Sequence, residues 1–498
     1  MAKTLNFPQI SMPLDVIVVG GGINGAGIAC EAASRGLKVG LYEAKDFAVA
    51  TSSASSKLIH GGIRYLEHYE FRLVQEALAE REILLKKAAH IVKPMRFRIP
   101  HQQNLRPKWL IMAGLFFYDH LARRSVLRPS KAINLSDDDG LTSAHSIAFE
   151  YSDCWVDDSR LVIANVKHAH QHGAEVRNYC EVISVTREGE FWRVNLYDHR
   201  LKMQVVRFSR ALINATGPWT AKFLEQCCNE TSPYQMQLIQ GSHLIVPKIY
   251  EGEQAYILQN DDKRVVFVIP YLNQYSMIGT TDIPFSGDPY HAVASEDEIS
   301  YLLSISNQHF KTQLTKQDII DSFSGVRPLF GDPNIPAQKQ SRDYHIAVND
   351  DQVLPLISIY GGKLTTYRKL SQKTVDKLNP YFSHLCQTNS KKSVFNEAVG
   401  LHPVVLFRQL TSKYPSIAKA TLERLIEQYG VEVWRILSRF EHGQSPIIAD
   451  VYQCEIDHLV NHEWTLTEED LLKRRTKLCY QLTADEKSIL RQRLNSGA

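Results

Sequence analysis

The chain has 498 residues, 44% of them hydrophobic and 22% charged, an ordinary globular composition that at roughly 150 residues per domain suggests about two or three domains. Disordered, collagenous and small disulfide-stapled proteins are excluded. The 57 Lys and Arg against 54 Asp and Glu leave a formal net charge of +3, too small to point to a nucleic-acid partner.

The first ten residues carry one Lys and no apolar run of signal-peptide length, so the expected compartment is the cytoplasm. Leu14 to Val19 is a β-branched run that feeds into Gly20-Gly21-Gly22-Ile23-Asn24-Gly25, and Ala26 to Arg35 has helix-forming composition with Gly36 as its stop. Lys38 to Tyr42 reads as a second strand ending at Glu43. Strand, glycine turn, helix and strand make a β-α-β unit, the opening of a doubly wound α/β fold. Phe71 to Ala89 has Leu and Ile at helical spacing, an amphipathic helix. Trp109 to Tyr118 is the longest apolar stretch outside the first strand, far short of the ~20 residues of a spanning helix. Arg106, Lys108, Arg123, Arg124 and Arg128 flank it, which suits a helix lying in an anionic membrane interface; a buried core helix is the other reading.

Tyr179 to Tyr197 alternates around a Glu-Gly turn, which predicts an antiparallel hairpin. Ala211 to Asn214 is a strand running into Ala215-Thr216-Gly217, and Ala255 to Ile283 holds several strand-like pieces, an inserted antiparallel sheet suited to substrate binding. After the polar stretch Asn379 to Ser393 the pattern is helical: Leu422, Leu425, Ile426 and Tyr429 share one face closed by Gly430, and Thr467 with Asp470 marks another helix start. Lys473, Arg474, Arg475 and Lys477 read as a solvated helix face, or as a contact to lipid headgroups. The eight cysteines contain no Cys-x-x-Cys pair and no zinc-type spacing, so no metal is expected and the thiols are read as reduced.

Gly20-x-Gly22-x-x-Gly25 follows a strand and opens a helix, the context in which such glycines let a pyrophosphate approach the backbone N–H groups and the positive end of the helix. Glu43 lies where a carboxylate accepts from the adenosine ribose hydroxyls. NAD and FAD both satisfy this pattern. Thr51-Ser52-Ser53-Ala54-Ser55-Ser56 adds hydroxyls for pyrophosphate and flavin edges, and Gly361-Gly362-Lys363-Leu364-Thr365-Thr366 offers further N–H groups for negative charge on a reduced flavin.

These segments, with TSSASSKLIHGGIRYLEHYEFRLV, YSDCWVDDSRLV, NATGPW, AYILQNDDKRVVFVIP, IGTTD, SGVRPL, GGKLTTYRKL and the late RRTK, resemble the family of bacterial aerobic, FAD-dependent glycerol-3-phosphate dehydrogenases over nearly the whole chain. The resemblance implies a Rossmann-like FAD-binding fold with an inserted antiparallel-sheet substrate domain and an α-helical C-terminal domain. It implies oxidation of sn-glycerol 3-phosphate to dihydroxyacetone phosphate, electron transfer to quinone, attachment to the inner face of the cell membrane and a homodimer. The rival is an oxidase with the same half-reaction, using oxygen and making peroxide. The expected limits are an FAD and substrate domain over 12–385, with FAD segments at 12–75, 150–230 and 320–385 and a cap at 76–149 and 231–319, followed by the helical domain at 390–498.

Expected cofactor contacts are Gly20, Gly22, Ile23, Asn24, Gly25, Glu43, Thr51, Ser52, Ser53, Ser56, Val182, Thr216, Gly217, Gly362, Lys363, Leu364 and Thr365. Oxidising a secondary alcohol needs a base for the hydroxyl proton and positive charge at the developing alkoxide. Arg327 is the first choice for the charge, since a guanidinium does not act as base at neutral pH. The base is expected to be a histidine, His243 or His60, with His243 slightly preferred. Arg64, Lys363 and Arg342 are the candidate phosphate ligands, with Tyr65 as hydroxyl donor.

Overall fold

In the computed structural model the described residues are 12–101, 107–260, 262, 264–330, 343–349, 354–441 and 443–496, with the side chains of Arg64, Glu67, His68, Asn495 and Ser496 also outside the description. Strand β1 (Leu14–Val19), helix α1 (Ile23–Ser34) and strand β2 (Val39–Tyr42) form the expected β-α-β unit. β1 sits between β2 and strand Met203–Asn214, parallel to both, with Val16 opposite Val39 on one side and Ala211 on the other. Val16, Ile17 and Val18 are fully buried, as strands covered on both faces require. Among the described residues this sheet has eight strands; Leu356–Tyr360 extends it in parallel. The predicted hairpin is Cys180–Glu188 with Phe191–Asp198, and it pairs onto the first half of Met203–Asn214.

The second sheet has ten strands among the described residues. Its centre is the predicted meander Ala255–Gln259, Val265–Tyr271 and Tyr275–Gly279, and it spreads past the expected cap limits. Leu58–Ile59, Ile147–Val156 and Asp321–Phe330, parts of which were assigned to FAD segments, belong to it, because Ile147–Val156 pairs antiparallel with Val92–Pro100 and Asp321–Phe330 with Met236–Pro247. The cofactor layer therefore hands the chain directly into cap strands, and the space between the two sheets is lined by strand ends of the first sheet, such as Val19 and Tyr42, and by strand interiors of the second, such as Phe267 and Gly325.

Helix Lys108–His120 buries Leu115 and Tyr118 but leaves Trp109, Phe116 and Phe117 at 71%, 59% and 59% exposure, so the reading as a buried core helix does not hold. Past residue 390 the chain is helical, as expected, with its own apolar core around Leu410, Leu422, Leu425 and Leu459; the helix Lys419–Tyr429 stops at Gly430. The basic run behaves unlike either expectation. Arg474, Arg475 and Lys477 are buried in ion pairs, and of the four only Lys473 reaches solvent, because the segment packs against the FAD domain.

Candidate active site

β1 delivers the chain to the glycine turn, and Gly22 precedes the first turn of α1. A Cβ on Gly25 would collide with the Gly20 carbonyl oxygen, so the turn packs against the helix only with glycine there. The Ser52 hydroxyl accepts from the Ile23 N–H at 2.9 Å, satisfying one of the orphan donors at the helix start. The Glu43 carboxylate accepts from the Gly21 N–H at 2.6 Å and the Lys45 N–H at 2.9 Å. Burial pushes its pKa up, and these two N–H donors offset part of that rise.

From this turn a cavity of about 650 Å³ runs between the sheets to Gly362 and Lys363. At its Glu43 end Lys45 lies 3.5 Å from the Tyr290 ring centroid, and Tyr290 packs on Trp219 at 4.2 Å; all three line the space. Midway, the Asn24 amide donates to the Gly361 carbonyl at 3.1 Å while its Oδ1 is buried with no hydrogen-bond partner.

The far end carries charge. Strand pairing sets Arg327 opposite Ile239 in register, and its guanidinium donates from Nη1 to Asp282 Oδ1 at 2.6 Å and from Nη2 to Thr280 Oγ1 at 2.7 Å. A Cβ on Gly241 would run into that guanidinium, so the missing side chain on the neighbouring strand is what makes room for it. His60 lines the same space, with its backbone tied to the Thr365 hydroxyl. Lys363 Nζ lies 4.1 Å from the centroid of the Tyr65 ring, a cation–π contact at the cavity wall.

Most of the expected residues therefore converge. Gly20, Gly22, Ile23, Asn24, Glu43, Thr51, Ser52, Ser56, Val182, Thr216, Gly217, Gly362, Lys363, Leu364 and Thr365 line one cavity, together with Arg327, His60 and Tyr65. Three stand back from it. Gly25 acts through packing; Ser53 turns its hydroxyl to the Ala50 carbonyl at 3.3 Å; His243 is 1% exposed, stacked on Phe323, with Nε2 2.9 Å from Ser56 Oγ. Burial, then Arg327 and Lys57, hold the His243 pKa well below the usual histidine value. Of the two histidines, His60 is the one at the cavity wall. Arg342 and the side chain of Arg64 lie outside the described residues. Sequence reasoning missed Asp282, Thr280, Lys45, Trp219 and Tyr290. Asp282 and Thr280 sat inside the string IGTTD and Trp219 inside NATGPW; nothing local marked Tyr290.

The cavity suits a long dinucleotide: a glycine cradle with a helix start at one side, an aromatic and cationic wall at the Glu43 end, and the orphaned Asn24 Oδ1 midway. The model of the family described as FAD dependent oxidoreductase matches residues 15–368. The chain belongs to that family. As an FAD dependent oxidoreductase it uses FAD as its cofactor. It is similar to the glycerol-3-phosphate dehydrogenase of Pseudomonas aeruginosa, 47% identical over 97% of this chain and 95% of that protein. It is 46% identical to the aerobic glycerol-3-phosphate dehydrogenase of Escherichia coli K12, over 96% of each. Its fold matches the structure of the glycerol-3-phosphate dehydrogenase from Bacillus halodurans complexed with FAD, with a TM-score of 0.75 at 24% identity, covering 98% of this chain and 95% of that one.

Proposed function

We propose that this FAD dependent oxidoreductase is a glycerol-3-phosphate dehydrogenase: it oxidises sn-glycerol 3-phosphate to dihydroxyacetone phosphate and passes the electrons to a membrane quinone. The observation that carries this reading is the far end of the cavity, where Arg327, His60, Lys363 and Tyr65 meet around one space. Two cations, an imidazole and a phenol suit a small alcohol bearing a phosphate. The similarity to the two dehydrogenases over nearly the full chain supports the substrate.

Bound FAD supplies the hydride acceptor. Lys363 and Tyr65 receive the phosphate, whose charge near −2 is matched by ammonium and hydroxyl donors. Arg327, held in place by Asp282 and Thr280, keeps its positive charge at any working pH and stabilises the oxygen as its proton leaves. His60 takes that proton. His243, neutral and stacked behind Ser56, orients the serine hydroxyl in the wall.

The same proposal includes a peripheral seat on the inner face of the cell membrane, as a homodimer. Among the described residues no helix is long and apolar enough to cross a membrane. Helix Lys108–His120 offers Trp109, Phe116 and Phe117 to solvent with Lys108, Arg123 and Arg128 exposed around them, the composition of an interfacial helix on anionic lipid. The deciding experiment reduces the purified flavoprotein anaerobically with glycerol 3-phosphate and then adds a soluble quinone analogue. Bleaching of the flavin followed by its return with quinone is the expected result. Flavin that stays oxidised removes the substrate assignment, and stoichiometric peroxide in air with no response to quinone replaces the dehydrogenase by an oxidase. Release from membranes by salt alone would remove the apolar part of the attachment.

A further inference from the structure

The cavity wall that follows β2 is gripped from the other end of the chain. Asp46 lies three residues beyond Glu43 and is fully buried. Its carboxylate accepts from Arg474 Nε at 2.5 Å, from Arg475 Nη1 and Nη2 at 2.7 and 2.8 Å, and from the Asn178 amide at 2.9 Å. Burial works against this charge, yet the two arginines hold its pKa below the usual carboxylate range. Close by, Lys477 donates to Asp157 at 2.9 Å and to the Ser159 hydroxyl. The adjoining Asp158 accepts from Lys57 at 2.8 Å and from the Ser55 hydroxyl at 2.7 Å.

The stretch 43–56 is thus held twice from residues 474–477 of the helical domain: directly at Asp46, and at Ser55 through the Asp157–Asp158 pair. Beside and between these grips lie the contacts that shape the glycine-turn end of the cavity. Glu43 accepts from Gly21 N–H, Ala48 N–H donates to the Gly21 carbonyl at 3.1 Å, and Ser52 accepts from Ile23 N–H. A dry guanidinium–carboxylate cluster adds little net stability over an apolar contact, but removing one partner leaves a buried charge alone. Such a cluster fixes geometry: it opens with the domain or stays closed.

We propose that the C-terminal helical domain is a brace for the cofactor, in which Arg474, Arg475 and Lys477 are positioning residues that hold 43–56 in the shape FAD requires. By linkage, bound FAD holds the helical domain docked to the same extent. Both grips fall at the glycine-turn end of the cavity, at Asp46 and at Ser55.

The test uses the full-length FAD-loaded protein and its Arg475→Gln, Arg475→Lys and Lys477→Gln variants. Two quantities are read: the rate at which free-flavin fluorescence appears after dilution, and protease cleavage in the connection 383–392 with and without added FAD. Both glutamine variants are expected to release FAD roughly tenfold faster or more, within the range of site-to-site coupling, with Arg475→Lys between them and the parent. Excess FAD should suppress cleavage, and the KM for glycerol 3-phosphate at saturating FAD should stay within about twofold of the parent, because a brace acts on the cofactor and not on uniform substrate binding. FAD release at the parental rate from a variant with a lowered melting temperature overturns the proposal, leaving the cluster as domain cohesion only. Cleavage of the parent that is equal with and without FAD overturns the reciprocal half. Should Arg475→Gln not fold, Lys477→Gln is judged by the same two criteria.

Discussion

At the glycine turn the cavity wall is mostly backbone, with side chains such as Glu43 and Ser52 that serve the N–H groups of Gly21 and Ile23. At the Arg327 end it is mostly side chain: a guanidinium between a carboxylate and a hydroxyl, an ammonium on a phenol, an imidazole. The difference separates two tasks. Backbone donors tolerate no added atoms but bind a fixed pyrophosphate whatever the reaction, whereas charged side chains are what a particular substrate requires and what the transition state feels. Changes at one end should therefore alter flavin content, and changes at the other should alter turnover with flavin intact.

The largest break falls at the first end. Gly25→Val places carbon atoms on the Gly20 carbonyl oxygen, so the turn must open; essentially complete loss of bound FAD is expected, read as the ratio of flavin to protein absorbance. Near-normal flavin content in that variant would mean the turn is not the cofactor's seat. Next comes Arg327→Met, which should lower kcat by about 100- to 1000-fold, the usual loss for one preorganised donor at a developing oxyanion, with flavin content unchanged. Flavin lost alongside activity would merge the two ends into one. Lys363→Met should raise KM for glycerol 3-phosphate by about tenfold or more, as expected for a lost charge-assisted hydrogen bond, and change kcat less. An unchanged KM with lost flavin would transfer Lys363 to the cofactor end.

The same comparison explains what was legible in the sequence. The turn, α1 and Glu43 lie within about one β-α-β unit, so local spacing already contains the geometry. Helix Lys419–Tyr429 with its stop at Gly430 was readable for the same reason. Arg327 stood out as a residue type, but its partners did not. Asp282 and Thr280 reach it only because Asp321–Phe330 and Ile283–Pro284 both pair with Met236–Pro247, a register that no short window specifies. Arg474 and Arg475 were misread outright. A basic run looks solvated until Asp46, 428 and 429 residues away, supplies the buried carboxylate. The placement of the two histidines was hidden for the same reason: small neighbours allow close approach, but only the packed Phe323 ring and Ser56 show that His243 is buried behind the wall.

The smallest effects are the ones that test that histidine assignment. In kcat/KM against pH, activity rises as the essential base of the free enzyme loses its proton. His243, with its pKa depressed well below 6.5, would place that rise far into acid, so a His60→Gln variant that loses the acid limb, beside a His243→Gln variant that keeps it, assigns the base to His60. The opposite pattern restores His243. Stability should report the buried ring independently. Below about pH 6.5 the unfolded chain protonates this histidine while the folded chain does not. Its contribution to stability is therefore complete above that pH, and it is lost progressively as the pH falls toward the lower folded value. The parent should lose up to about 1.4 kcal/mol per pH unit more than His243→Gln in that window, one proton's worth. Measured as melting temperature against pH, parallel curves for the two proteins would mean that His243 accepts a proton in place, and that the wall behind Ser56 is wetter than its packing on Phe323 requires.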